Sequence, residues 1–166
     1  SLARLAPSST REKSTNTLTM VESENPKTRT IVIDGSNLAT TRTDGERRTD
    51  VRYLLECKHA AQANFDGAAV IVFVDANFRH FLPEDQKEEF EAAVQNEEIR
   101  QSPAGIDGGA DTLILDMAEK LDAIVLSNDQ FRGYETKFPL VFNKERIYTV
   151  HSVNDKWGFY PRKARS

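Results

Sequence analysis

One cysteine, Cys57, occurs in the 166 residues. A disulfide framework is therefore excluded, and so is any zinc module built on several cysteines. A lone thiol suits a reducing compartment, so the cytoplasm is the expected location. Nowhere does the chain approach the run of about 20 apolar residues that a membrane helix needs, so no span and no membrane association are expected. Histidine is as scarce: His59, His80 and His151 lie far apart, without the spacing of a metal-ligand pair. An excess of cations is also missing. The formal net charge is −4, which argues against a protein coated in cations for DNA but leaves room for a local nucleic-acid site.

What is present is ordinary soluble composition, 39% hydrophobic and 29% charged, at a length that suits one domain. The charge is unevenly spread. Residues 31–130 carry nine Lys/Arg against twenty Asp/Glu, whereas residues 131–166 carry eight against three. An acidic body thus sits beside a basic C-terminal end. Residues 1–28 are rich in Ser and Thr and hold no helical or strand period, so they read as a flexible arm, native or appended. Residues 29–166 read as the domain.

Within that domain, apolar β-branched runs alternate with helical periods. Ile31–Ile33, Ala68–Val74, Ala123–Leu126 and Arg146–Val150 read as strands, with a short one near Ile99. Helices are expected over 50–64, with a buried stripe of Val51, Leu54, Leu55, Ala61 and Phe65, and over 83–95 and 111–121. A short one is expected over 130–137. Strands that are apolar throughout, with helices between them, predict an α/β fold around a mostly parallel sheet covered on both faces. Such sheets place their ligands at the carboxyl ends of the strands.

Three of the apolar runs end in an acid: Asp34, Asp75 and Asp129. A fourth acid, Asp111, opens the helix that leads to the third of these strands. Asp111, Ile114, Ala118 and Leu121 step by three, four and three, so Asp111 continues the apolar stripe and points toward the strand ends. Taken singly, each acid has a structural explanation, because Asp favours turns and helix starts. Several on one edge are different, since close like charges repel and raise one another's pKa unless a cation joins them. An all-oxygen donor set favours Mg²⁺ or Mn²⁺. Such an ion supplies what hydrolysis of an anionic phosphodiester needs: an acidified water and a neutralised phosphate oxygen.

Ile-Val-Ile-Asp-Gly-Ser-Asn-Leu-Ala (31–39), the Gly-Ala-Asp helix start (109–111) and Ala-Ile-Val-Leu-Ser-Asn-Asp-Gln-Phe (123–131) resemble the NYN branch of the PIN-like nucleases. Within that branch the chain is most similar to the regnase-type ribonuclease domain, without its zinc finger. Val72-Phe-Val74 and Ser152-Val-Asn-Asp-Lys156 extend the resemblance, which runs over roughly 29–162. It implies a Rossmann-like PIN/NYN sandwich and a metal-dependent endoribonuclease that leaves 5′-phosphate and 3′-hydroxyl ends. Asp34, Asp111 and Asp129 fall on the family's metal-binding acids. Asn37 falls on the motif's asparagine near the scissile phosphate, and Ser127 on the small hydroxyl residue before the last acid. The chain departs from the pattern at Ala110, where the family has a second adjacent acid. Asp107 is a candidate substitute, and one or two metals remain open. Asp75 has no counterpart among the metal ligands and reads as an outer acid or a turn residue.

RNA is the expected partner, with DNA left open as a substrate and self-association as a homodimer also left open. Candidate RNA-binding residues are Arg42, Arg79 and Arg132, with Arg47 and Arg48 flanking the same loop as Arg42. The C-terminal run adds Lys156, Trp157, Arg162 and Lys163. There, four cations among three aromatics suit a single strand, with rings for bases and cations for phosphates. The competing expectation is that Trp157, Phe159 or Tyr160 closes the core as an edge strand. Two other functions compete with catalysis. One is an RNA-binding PIN-like module without activity. The other is a receiver-like Mg²⁺-binding signalling domain, which needs a pair of acids after the first strand and finds Asp34-Gly35 instead. Cys57 is expected in the core, and Gly105–Gly109 lacks the Lys-Ser/Thr of a phosphate loop.

Overall fold

A computed structural model describes residues 29–143 and 145–162. The expected arm at 1–28, together with Lys163 and Arg165, lies outside the described residues. In chain order the elements begin with β1 (Ile31–Asp34), the short helix α1 (Gly35–Leu38), β2 (Thr40–Thr43), β3 (Glu46–Thr49) and α2 (Val51–Asn64). Then come β4 (Val70–Val74), a 3₁₀ turn (Phe78–Phe81), α3 (Glu84–Gln95), β5 (Arg100–Gln101) and α4 (Gly109–Leu121). The last are β6 (Ile124–Leu126), a second 3₁₀ turn (Pro139–Phe142), β7 (Ile147–Val153) and β8 (Lys156–Pro161).

The main sheet has six strands in the order β5-β4-β1-β6-β7-β8. All neighbours are parallel except β7 and β8, which form an antiparallel hairpin at the edge. The strand pleat alternates between two helical layers. Ile31 and Ile33 face the core that holds Val51, Leu54 and Phe90 from α2 and α3. Val32 and Val125 face the other, with Ile114, Leu115 and Ala118 of α4. Burial on both faces is why the central strands carry no polar residue before their last position. Each fully buried Ile or Leu of this kind contributes about 1.5–3 kcal/mol.

Local chemistry sets the helix boundaries. Asp50 caps α2, accepting from the backbone N–H groups of Arg52 at 2.9 Å and Tyr53 at 3.0 Å. The buried Gln86 of α3 accepts from the Val51 N–H at 2.8 Å and so ties the two helices at that cap. Cys57 lies in this core, as expected.

Two local expectations change, and two open points are decided. The helix expected over 130–137 is absent. Phe131 is buried with a left-handed φ of 50°, which interrupts a helix there. Leu121 is 47% exposed, so the apolar stripe of α4 ends at Ala118. The loop flanked by Arg42, Arg47 and Arg48 is the turn of a hairpin over 40–49, at Asp44-Gly45 with both φ angles positive. The C-terminal run is the edge strand β8 as far as Pro161, so the core-closing alternative holds there. Trp157 packs on Tyr53 with ring centroids 4.8 Å apart, and Phe159 on Phe65 at 5.7 Å.

Candidate metal centre at the carboxyl edge of the sheet

β1 leads through α2 to β4 on one side, whereas the chain entering α4 crosses to β6 on the other. The gap above β1 is the point where the strand order reverses, and it is where such sheets bind ligands. Asp34 ends β1, Asp111 lies in the first turn of α4, and Asp129 follows β6. One carboxylate oxygen from each lies within 4.8 Å of the other two. No other group of three potential metal ligands occurs among the described residues.

The motif Asp34-Gly35-Ser36-Asn37 builds one wall of this site. Asp34 is only 3% exposed. Its carboxylate accepts the Ser127 hydroxyl at 2.7 Å and a backbone hydrogen bond from Asn37. Gly35 lies so close to β4 that a Cβ there would come within 2.6 Å of the Phe73 carbonyl oxygen, so no other residue fits without a shift. Ser36 reaches across to β4, its Oγ accepting from the Asp75 N–H at 2.8 Å. Asn37 reaches the other way, its Oδ1 accepting from the Asn128 N–H at 2.8 Å. Four consecutive residues thus join β1 to both neighbouring strand ends.

The loop after β6 is held as firmly. Ser127 Oγ donates to Asp34 while accepting from the Asp129 N–H at 3.0 Å, which links two of the acids through one hydroxyl. Asp129 turns locally by accepting from the Phe131 N–H at 2.7 Å. Asn128 exchanges two hydrogen bonds with the backbone of Val150, both at 2.9 Å, and fastens the loop to β7. Asn128 was not singled out in the sequence, where it reads as one more turn residue.

Asp75 has a role its position alone did not reveal. Its Oδ1 accepts from the Ala110 N–H at 3.0 Å. It therefore caps α4, whose preceding residue Gly108 offers no side chain. A Cβ on Gly109 would sit 2.8 Å from the same oxygen, so a side chain there, already strained at φ +58°, would push the Asp75 carboxylate off its cap. Asp111 is thereby placed one residue beyond a clamped N–H. Asp107 is exposed on the loop and is not among the converging carboxylates. Ala110 is buried in the core beneath α4.

Burial pushes the Asp34 carboxyl up to about 7, with the charges of Asp111 and Asp129 adding to the rise and the Ser127 hydrogen bond opposing it. Burial, then the charges of Asp129 and Asp75, pushes Asp111 up to about 6. The three converging carboxylates, with Asp34 and Asp111 held above the ordinary range, present only oxygen donors, and a hard divalent cation suits that set.

The candidate RNA-binding residues lie on different elements. Arg42 is exposed on β2, and Arg132 is exposed just after Asp129. Arg79 is paired with Glu91 of α3 at 2.6 Å. Lys156 is exposed at the β7–β8 turn, while Trp157 is half-buried against α2. Arg162 donates to the carbonyl of Ser127, so of the C-terminal cations it is tied directly to the acidic site.

The architecture is that of the α/β PIN-like nucleases. A family model, the Zc3h12a-like ribonuclease NYN domain, matches residues 27–161, and the chain belongs to that family. Compared by sequence, no curated protein matches it. Among solved structures, the fold is similar to the nuclear proteinaceous RNase P 2 (PRORP2) from A. thaliana. One such structure gives a TM-score of 0.64 at 14% identity, covering 82% of this chain and 31% of that one. A second, of the Arabidopsis thaliana nuclear protein-only RNase P 2, gives 0.62 at 14% identity, covering 93% and 37%. The chain thus spans about a third of the length of these structures.

Proposed function

We propose that this chain is a metal-dependent endoribonuclease that hydrolyses phosphodiester bonds of RNA. Asp34, Asp111 and Asp129 would hold Mg²⁺ or Mn²⁺. The observation that carries the reading is the convergence of these three carboxylates at the reversal point of the sheet, in a chain of a ribonuclease family. A divalent cation bound there would acidify water and neutralise the phosphate. The protein's part is preorganisation. Ser127 and Asn37 fix Asp34, Ser127 also fixes the backbone of Asp129, and Asp75 fixes the start of α4 that presents Asp111. Cleavage in this reading leaves 5′-phosphate and 3′-hydroxyl ends. A cytoplasmic setting and a homodimer are compatible with it.

The test is cleavage of a fluorescent single-stranded RNA with Mn²⁺, with Mg²⁺ and with EDTA. The unsubstituted chain cuts with either ion and not in EDTA. Asp34→Asn, Asp111→Asn and Asp129→Asn each lower the rate at least about 100-fold while remaining folded, as expected when transition-state electrostatics are removed. Undiminished Mn²⁺-dependent cutting by Asp34→Asn would overturn the assignment. Ala110 favours a second reading, because it stands where the family pattern has another acid. In that reading the domain binds RNA without cutting it, and the same assay shows binding with no product.

A further inference from the structure

A cleft of about 470 Å³ opens beside the acidic site, lined in part by Ser36, Asp75, Arg47, Arg48, Phe78 and Phe81. Its volume falls in the ~300–1,000 Å³ range of small-ligand sites. Ser36 and Asp75 connect it to the metal centre, since Ser36 follows Asp34 by two residues and Asp75 acts on Asp111. The outer wall is different in character. Arg47 and Arg48 come from β3 of the hairpin, and Phe81 ends the 3₁₀ turn after β4. Phe81 is 63% exposed, so its ring is accessible from solvent. Arg47 makes no ion pair among the described residues, and Arg48 meets only Glu46, at 3.4 Å, with both side chains largely exposed. The same three residues also line a second hollow of about 390 Å³ that continues past Leu82 and Pro83.

We propose that this cleft receives one unpaired nucleobase of the RNA beside the cleavage site, stacked on Phe81, with Arg47 and Arg48 on its adjoining phosphate. This rests on the ribonuclease reading and adds a specificity determinant to it. An aromatic face and planar guanidinium groups are the combination that binds single strands without reading sequence. The division of labour follows from charge. Asp75 on the inner wall repels a phosphate, while the arginines at the mouth attract one. Asn77, also on the wall, offers a hydrogen-bonding amide to a base edge. A base inside a duplex is stacked on both faces and cannot enter, so the cleft selects unpaired RNA.

The experiment uses a fluorescein-labelled hexaribonucleotide and a blunt RNA duplex, with binding read by anisotropy. Asp34→Asn is kept in the background so that the strand stays intact. Phe81→Ala raises the Kd for the single strand about tenfold and that for the duplex less than about twofold. Phe81→Leu, which keeps apolar bulk without a ring, behaves like alanine. A single abasic position scanned along the hexamer costs a similar factor at one place, and that cost disappears when Phe81 is already alanine. Equal losses for strand and duplex, or an abasic cost that persists in Phe81→Ala, would overturn the proposal. Mn²⁺-dependent cutting by the chain with Asp34 intact is scored separately. Cutting without any Phe81 effect leaves the nuclease and removes the base pocket. Absence of cutting removes the nuclease reading, while the coupling between Phe81 and the abasic position still decides the cleft.

Discussion

At the residue scale, Asp34 carries the largest conflict between stability and function. It is buried, it faces two further acids, and its carboxyl is held near 7 instead of the ordinary 3.8. The folded, metal-free protein therefore binds this proton more tightly than the unfolded chain does. Stability from Asp34 is fully present below about pH 4 and is lost as pH rises toward 7. The metal-free protein should lose about 3 kcal/mol of unfolding free energy between pH 5 and pH 8 through this group. Asp34→Asn, neutral throughout, should flatten that decline. Urea unfolding in EDTA at several pH values measures both. Saturating Mn²⁺ should flatten it in the unsubstituted chain as well, because the cation replaces the proton and binds more tightly as pH rises. A pH-independent stability in EDTA would show that burial and the neighbouring acids do not hold the Asp34 carboxyl above its ordinary value.

At the scale of elements, the junction between β4 and α4 decides where Asp111 stands. Asp75 accepts from the first turn of a helix that begins at Gly109, behind Gly108, with both glycines at positive φ. Removing a helix cap costs about 0.5–2 kcal/mol. Asp75→Ala should therefore destabilise the protein by about 1 kcal/mol and weaken Mn²⁺ binding by letting α4 drift. Asp75→Asn keeps the accepting oxygen and should retain the stability. Denaturant midpoints together with a Mn²⁺ titration separate the two variants. If Asn and Ala lower metal affinity equally while only Ala lowers stability, the charge of Asp75 matters to the ion rather than its grip on the helix.

At the scale of the whole molecule, the proposed activity asks an acidic body to hold a polyanion. The carboxylates at the site repel phosphates. Of the candidate cations, Arg47 and Arg48 share a cleft with Ser36 and Asp75, while Arg42 and Arg132 are exposed on β2 and just after Asp129. Binding of an uncleavable RNA should thus be steeply salt-dependent in EDTA and should tighten when Mn²⁺ is added. Asp34→Asn with Asp111→Asn should abolish the Mn²⁺ response. Each phosphate contact contributes about 0.7 to the slope of log K against log salt for a single strand. Arg42→Ala should lower the slope by about that amount if its guanidinium meets a phosphate. An unchanged slope would move the RNA path away from β2.

Ile-Val-Ile-Asp and Ile-Val-Leu-Ser-Asn-Asp were sufficient to locate two buried strands and the acids that end them. Continuous β-branched runs stop where polar turn chemistry begins, and that information is local. The 3.6-residue period of α4 likewise turned Asp111 toward the sheet, because a helix fixes which residues share a face. Asp44-Gly45 is a hairpin signal that was not singled out in the sequence. The short helix expected over 130–137 failed because Phe131 goes left-handed to reach the core, even though Asp129 accepts from its N–H as a helix cap does. Trp157 and Phe159 could have been rings for bases or rings for packing until Tyr53 and Phe65 were seen against them. No local pattern says that Asp75 caps a helix 35 residues later, or that Ser127 joins Asp34 across 93. Those contacts depend on β1 lying between β4 and β6, and strand order is chosen by how two helical layers bury both faces of the sheet. The chemical groups of the site are a property of the chain, whereas their 4.8 Å convergence is a property of its packing.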